Sequence, residues 1–151
     1  MAQIELLDNL LGVGQVVINL RASSKAALLT ELSRRAAGFT GQTAAALGVA
    51  LAAREMLGST GFGAGIAVPH ARIGGLASMF GLFARLDKPV AFDAVDGKPV
   101  DLVMLLLSPA TANSEHLTVL AAISRRLRDS DVAAALRSAG SAEAARQILV
   151  G

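Results

Sequence analysis

Apolar residues along this 151-residue chain recur first at helical spacing, then in near-continuous runs, then at helical spacing again. Residues 3–10 read as a short helix that precedes a strand at 15–20. Ser23 or Ser24 can cap the next helix, which is expected to reach about Ala37 with Leu28, Leu29 and Leu32 on one face, and Gly38 to Gly41 to break it. A further helix is expected from Thr43 to about Leu57, ended by Gly58. After a glycine-rich loop comes a very short apolar segment, 66–68, cut off by Pro69. Residues 78–86 and 100–107 are apolar enough to be central strands, and Asp96-Gly97 between them suits a tight turn. From Asn113 the pattern is helical to the end, with breaks near Ser130 and at Gly140-Ser141. This order predicts an α/β fold with helices packed on a mixed β-sheet, and one domain over residues 1–151.

Composition narrows the picture. The chain is 53% hydrophobic and 17% charged, which favours tightly packed helices over disorder. Its formal net charge is only +2; the pI of 9.7 reflects the lack of groups that titrate just above neutrality. No lysine- or arginine-rich run and no aromatic platform appears, so nucleic acid is not an expected partner. No apolar run approaches the roughly 20 residues that span a bilayer, so no membrane insertion is expected. The opening MAQIELLDNL lacks the regions of a signal peptide, and a cytoplasmic protein is the expectation. The absence of cysteine removes disulfides and thiolate metal sites.

With no cysteine, tyrosine or tryptophan, chemistry near neutral pH leans on the two histidines, His70 and His116. His70 stands in GSTGFGAGIAVPHAR, behind glycines and a proline. A dinucleotide fingerprint runs strand, glycine loop, helix; here a helix ends, the loop follows and a strand comes next. GFGAG also lacks the lysine and Ser/Thr of a P-loop. The glycines permit positive φ and close backbone approach, and successive N–H groups in such a loop can form an anion-binding nest. Pro69 fixes the backbone before His70 and cannot continue a central strand, which would hold the imidazole at a strand end, aimed outward.

His116 shares a helical stripe with Leu120, Ile123 and Leu127 and so faces the body of the domain. A core histidine with one satisfied hydrogen bond and a functional imidazole both fit that position, the first being the commoner fate. Arg54 lies on the inward side of its helix, one turn before the loop. It either snorkels past the core or sets a fixed charge near His70 for a phosphoryl group. Ser59 and Thr60 are the nearest hydroxyl donors, and equally suit a helix end. No HExxH or GxSxG occurs, so no metal site or serine nucleophile is expected. Asp93 and Asp96 read as turn formers, and Arg125, Arg126 and Arg128 as a solvated helix end.

Three stretches together resemble a known family. They are Arg54-Glu55 followed by GSTGFGAGIAVPHAR, then FDAVDGKPVDLVMLLLSP, then Glu115-His116-Leu117 opening a leucine-rich helix. In order and spacing they are similar to the enzyme IIA proteins of the bacterial phosphoenolpyruvate-dependent phosphotransferase system, fructose/mannitol type, and most to the nitrogen-regulatory branch. The resemblance implies a mixed sheet flanked by helices on both faces and a phosphoryl-carrier protein without metal or cofactor. It implies that His70 accepts a phosphoryl group from the phosphocarrier protein HPr, that His116 helps hold that group, and that Arg54 stabilises its charge. The loop, with Ser59, Thr60, Gly61 and Gly63, would be its cradle, and Phe62 part of an apolar rim that docks the partner. Regulated partners in this branch include potassium transport, sensor kinases and stress-nucleotide enzymes; no motif selects among them. A sugar-transport IIA that passes phosphate to a IIB domain, and a binding module that is never phosphorylated, are the competing roles. Ala71-Arg72 follows the histidine where Gly-Lys is also common, and Phe62 and Ala64 depart from the usual loop residues.

Overall fold

A computed structural model describes residues 3–151, with side chains from Glu5 onward. Met1 and Ala2, the start of the segment read above as no signal peptide, lie outside the described residues. The elements are α1 (Gln3–Leu10), β1 (Val16–Leu20), α2 (Lys25–Thr40), α3 (Ala44–Met56), β2 (Gly61–Gly63), β3 (Ile66–Ala67), β4 (His70–Ile73), β5 (Phe80–Val90), β6 (Val100–Pro109), α4 (Ser114–Arg128), α5 (Ser130–Ser138) and α6 (Ala142–Val150).

The six strands among the described residues form one mixed sheet in the order β1-β5-β6-β3-β2, with β4 also paired to β6. β5 and β6 are antiparallel, while β1 on β5 and both β3 and β4 on β6 are parallel. Along β6, Val103, Leu105 and Leu107 point into a core with α2 and α3, while Leu102, Met104 and Leu106 point into a second core with α1, α4, α5 and α6. A strand covered on both faces has no polar side, which is why this stretch reads as a continuous apolar run. The result is the expected sheet between two helical layers.

β3 and β4 hold one register on β6, with Ala67 opposite Val103 and His70 opposite Leu106. Pro69 has no N–H to give and interrupts the ladder, yet its carbonyl accepts from Leu106 N at 3.0 Å. The strand line expected to stop at Pro69 therefore resumes at His70. Neither β2 nor β4 was expected as a strand.

Ser24, not Ser23, caps α2, its hydroxyl accepting from Ala27 N at 3.1 Å. The helix passes the expected break at Gly38 and ends at Gly41, whose φ of 74° supplies the left-handed turn. One mid-helix glycine costs about 1 kcal/mol, less than the burial of Leu28, Leu29, Leu32 and Ala36 returns. Of the arginines near the end of α4, Arg125 and Arg128 are exposed as expected, but Arg126 is half-buried, its guanidinium donating to the carbonyls of Leu149 and Ile148 and closing the end of α6.

A buried ion cluster ties together the ends that frame His70. Glu55, near the end of α3 and 8% exposed, accepts from the N–H and the hydroxyl of Thr60, each at 3.1 Å, and pairs with Lys25 Nζ at 3.2 Å. It thereby locks the start of α2, the end of α3 and the entry to β2. Removing its carboxylate leaves the buried Thr60 N–H without its acceptor and Lys25 with only the exposed Asp93 and the Phe92 ring. Glu55→Ala is expected to lower the unfolding free energy by about 2–4 kcal/mol, measured by urea denaturation. A loss within about 0.5 kcal/mol, the size of an ordinary surface change, would show that the cluster is not an anchor.

Candidate functional site

The free edge of the sheet at β4 is where the two helical layers meet. α3 covers it from one side and the first turn of α4 from the other. Side chains alternate along β4, so Ala71 and Ile73 enter the α2–α3 core while His70 and Arg72 share the opposite direction. Arg54, Leu57, His70, Arg72 and His116 line a shallow pocket of about 440 Å³ there, with Ala50, Ala53 and Ala71 as its remaining wall. A hollow of about 560 Å³ at Arg21, Ala22, Ser23, Asp87 and Lys88 is larger but holds no imidazole.

The rings of His70 and His116 lie 5.6 Å apart, centre to centre, at 48°. Nδ1 of His70 is 2.8 Å from the carbonyl oxygen of Val68. A carbonyl only accepts, so this nitrogen carries the proton and Nε2 keeps a free lone pair. Burial pushes the His70 pKa below the ordinary histidine value; the Val68 bond opposes this, the Arg54 charge adds to it and Glu55 opposes it. His116 is 5% exposed, with Nδ1 2.6 Å from the buried Ser108 hydroxyl. Burial, then the charges of His70 and Arg72, hold its pKa down as well. Two neutral imidazoles thus face each other between fixed cations.

Those cations are positioned by hydrogen bonds. Arg54 Nη1 donates to the Gly58 carbonyl at 2.9 Å, and Arg72 Nη1 to Asn113 Oδ1 at 3.2 Å. Asn113 stands at the N-cap of α4 but makes no side-chain cap. Arg72 was not singled out as a site residue. Its signal was the two-residue spacing from His70, invisible while the strand was taken to end at Pro69.

Arg54, His70 and His116 are brought together; the loop residues are not among the pocket's lining. The Ser59 hydroxyl donates to Phe92 O at 2.7 Å and accepts from Gly61 N at 3.1 Å. Thr60 gives both its donors to Glu55. Gly61 packs so closely on residues 92–94 that a Cβ would lie 2.9 Å from that of Ala94, and Gly63 abuts Asp96. The Ser59, Thr60 and Gly61 donors are thus engaged within the protein, where they brace the strand line. Phe62 also lies elsewhere: it packs on the second core with Arg128 stacked 4.7 Å from its ring centre. Arg128 is twelve residues beyond His116 on α4, or about 18 Å along the helix. The exposed apolar residues near the pocket are Val49, Met56 and Leu57 along α3, with Leu117 on α4.

Among the described residues no three His, Asp or Glu side chains converge as metal ligands, and no helix is long and apolar enough to cross a membrane.

Known structures place this architecture. The crystal structure of nitrogen regulatory protein IIA-Ntr from Neisseria meningitidis superposes with a TM-score of 0.91 at 38% identity, covering 95% of this chain and 99% of that one. IIA mannitol from Escherichia coli gives 0.76 at 21% identity, covering 92% and 98%, a likeness of fold. The class is therefore the mannitol-type enzyme IIA fold. The family model for the phosphoenolpyruvate-dependent sugar phosphotransferase system, EIIA 2, matches residues 9–150, and the chain belongs to that family. A nitrogen regulatory protein of Bradyrhizobium diazoefficiens is 48% identical over 130 residues, 86% of this chain and 85% of that protein.

The electrostatics of the pocket can be read by NMR titration. Both histidines are expected to titrate below about pH 6.5, and Arg54→Ala to raise the His70 midpoint. Because folding depresses both pKa values, the stability they contribute is present above about pH 6.5 and is lost as pH falls through the lower folded values. A His70 midpoint at or above the ordinary value would contradict this reading.

Proposed function

We propose that this protein is a phosphoryl carrier of the nitrogen-regulatory phosphotransferase system, acting in the cytoplasm and accepting a phosphoryl group on Nε2 of His70 from an HPr-type phosphocarrier protein. The observation that carries the proposal is the neutral His70, proton on Nδ1, set beside His116 between two positioned arginines.

The chemistry balances without a metal. As the His70 Nε2–P bond forms, the N–P bond of the donor's phosphohistidine breaks and the donor ring recovers its lone pair. The proton on His70 Nδ1 stays on that nitrogen throughout, donated in a hydrogen bond to the Val68 carbonyl. Such transfers pass through a loose transition state, so the protein's work is alignment and charge stabilisation. Arg54 and Arg72 face the phosphoryl oxygens, and His116 completes their shell. Ser59, Thr60, Gly61 and Gly63 act by fixing the strand that carries His70.

The donor is a whole protein, and the apolar ridge of Val49, Met56, Leu57 and Leu117 replaces Phe62 as its docking rim. Phosphorylation places about −1.5 to −2 charges amid that ridge. Partners that bury the ridge are thereby told which state they have met. That is the basis proposed for regulation.

Incubation with phosphoenolpyruvate and the cognate enzyme I and HPr homologues is expected to add one phosphoryl group per chain, and none to His70→Ala. Arg54→Ala and Arg72→Ala should each slow transfer about ten- to a hundredfold. Labelling of His70→Ala as fast as wild type would overturn the assignment.

A further inference from the structure

Outside the groups already given roles, one buried polar side chain touches the pair of histidines. Ser108 ends the apolar run of β6, opposite Arg72 in the sheet, on the face that Leu102, Met104 and Leu106 turn toward α4. It is fully buried, and its Oγ lies 2.6 Å from Nδ1 of His116.

We propose that Ser108 is a positioning residue that donates its hydroxyl hydrogen to Nδ1 of His116, and so presents the Nε2–H of that ring to the phosphoryl group on His70. The purpose of the arrangement rests on the phosphoryl-carrier reading above; the direction of the hydrogen bond does not.

The direction follows from counting donors. The Ser108 hydroxyl makes no other hydrogen bond among the described residues. If Nδ1–H of His116 donated to Oγ instead, the hydroxyl hydrogen would be left without an acceptor in the sheet interior, at the full desolvation cost of a buried donor. That opposite tautomer would also aim the Nε2 lone pair at the phosphoryl oxygens. An imidazolium would need the positive charge accepted beside Arg72 in a buried ring, against the direction in which its surroundings move it. With Ser108 as donor, every hydrogen has a place.

The two rings then differ by one neighbour each. An acceptor, the Val68 carbonyl, holds His70 as the Nδ1–H tautomer, a nucleophile at Nε2. A donor, the Ser108 hydroxyl, holds His116 as the Nε2–H tautomer, a hydrogen-bond donor at the same ring position. The pocket thus makes opposite tools from two identical side chains.

Long-range proton–nitrogen correlation NMR on the unphosphorylated wild-type protein reads both tautomers without any substitution. His116 is expected to show a protonated Nε2 and a bare Nδ1, and His70 the reverse. In Ser108→Ala, the His116 pattern should shift toward a tautomer mixture and its titration midpoint should rise. Transfer to His70 should slow about three- to tenfold in kcat, with KM for the phosphocarrier unchanged. His116 found mainly as Nδ1–H in wild type, or a Ser108→Ala protein with unchanged tautomer and rate, would overturn the proposal. Should Ser108→Ala fail to fold, the wild-type spectrum alone decides. Failure of wild-type His70 to be labelled would instead remove the phosphoryl-carrier reading and leave the tautomers to be judged by that spectrum.

Discussion

The bond from His70 Nδ1 to the Val68 carbonyl is the constraint on which the site depends. In a parallel strand, successive carbonyls point to opposite sides. Pro69 turns its own toward β6, so Val68 faces the outer edge, where its N–H meets Thr60 O and its carbonyl is free for the ring. The proline makes this possible by breaking the ladder for two residues without changing its register. The glycines, Ser59 and the Glu55 cluster then brace the segment, so that a strand edge becomes a fixed mount for one imidazole.

Around that mount, electrostatics must satisfy two states. The resting pocket holds two arginines and two imidazoles that burial keeps neutral, because protonating either would add charge where cations already stand. The occupied pocket would hold a phosphoryl dianion against the same arginines. A site tuned for the second state is positive in the first, and neutral histidines keep that excess from growing. The apolar ridge on α3 lies beside this pocket, so in the proposed role one surface would carry both the docking area and the charge that changes.

Much of this was legible in the chain. The long helices and the buried β5 and β6 follow from periodicity, and scarcity of reactive groups singles out His70 and His116; the roles of His116 and Arg54 beside His70 come only from the family resemblance. What escaped had physical causes. β2 and β4 span three and four residues, too few to show a period, and exist because β3 and β6 respectively supply their partners. Arg72 was hidden with β4. Phe62 looked like a loop-tip aromatic until the distant end of α4 brought Arg128 onto it. Arg126 serves a helix twenty residues further on, which local charge patterning cannot reveal. The glycine loop suggests a ligand cradle because glycine permits close approach; at Gly61 the groups approached are Ala94 and the Phe92 ring.

Phosphorus–nitrogen correlation NMR on the phosphorylated, nitrogen-15-labelled protein tests the central claim most directly. The account predicts a single phosphoryl group on Nε2 of His70, with Nδ1 still protonated and bonded to Val68. A phosphoryl group on Nδ1 of His70, or on His116, would contradict it.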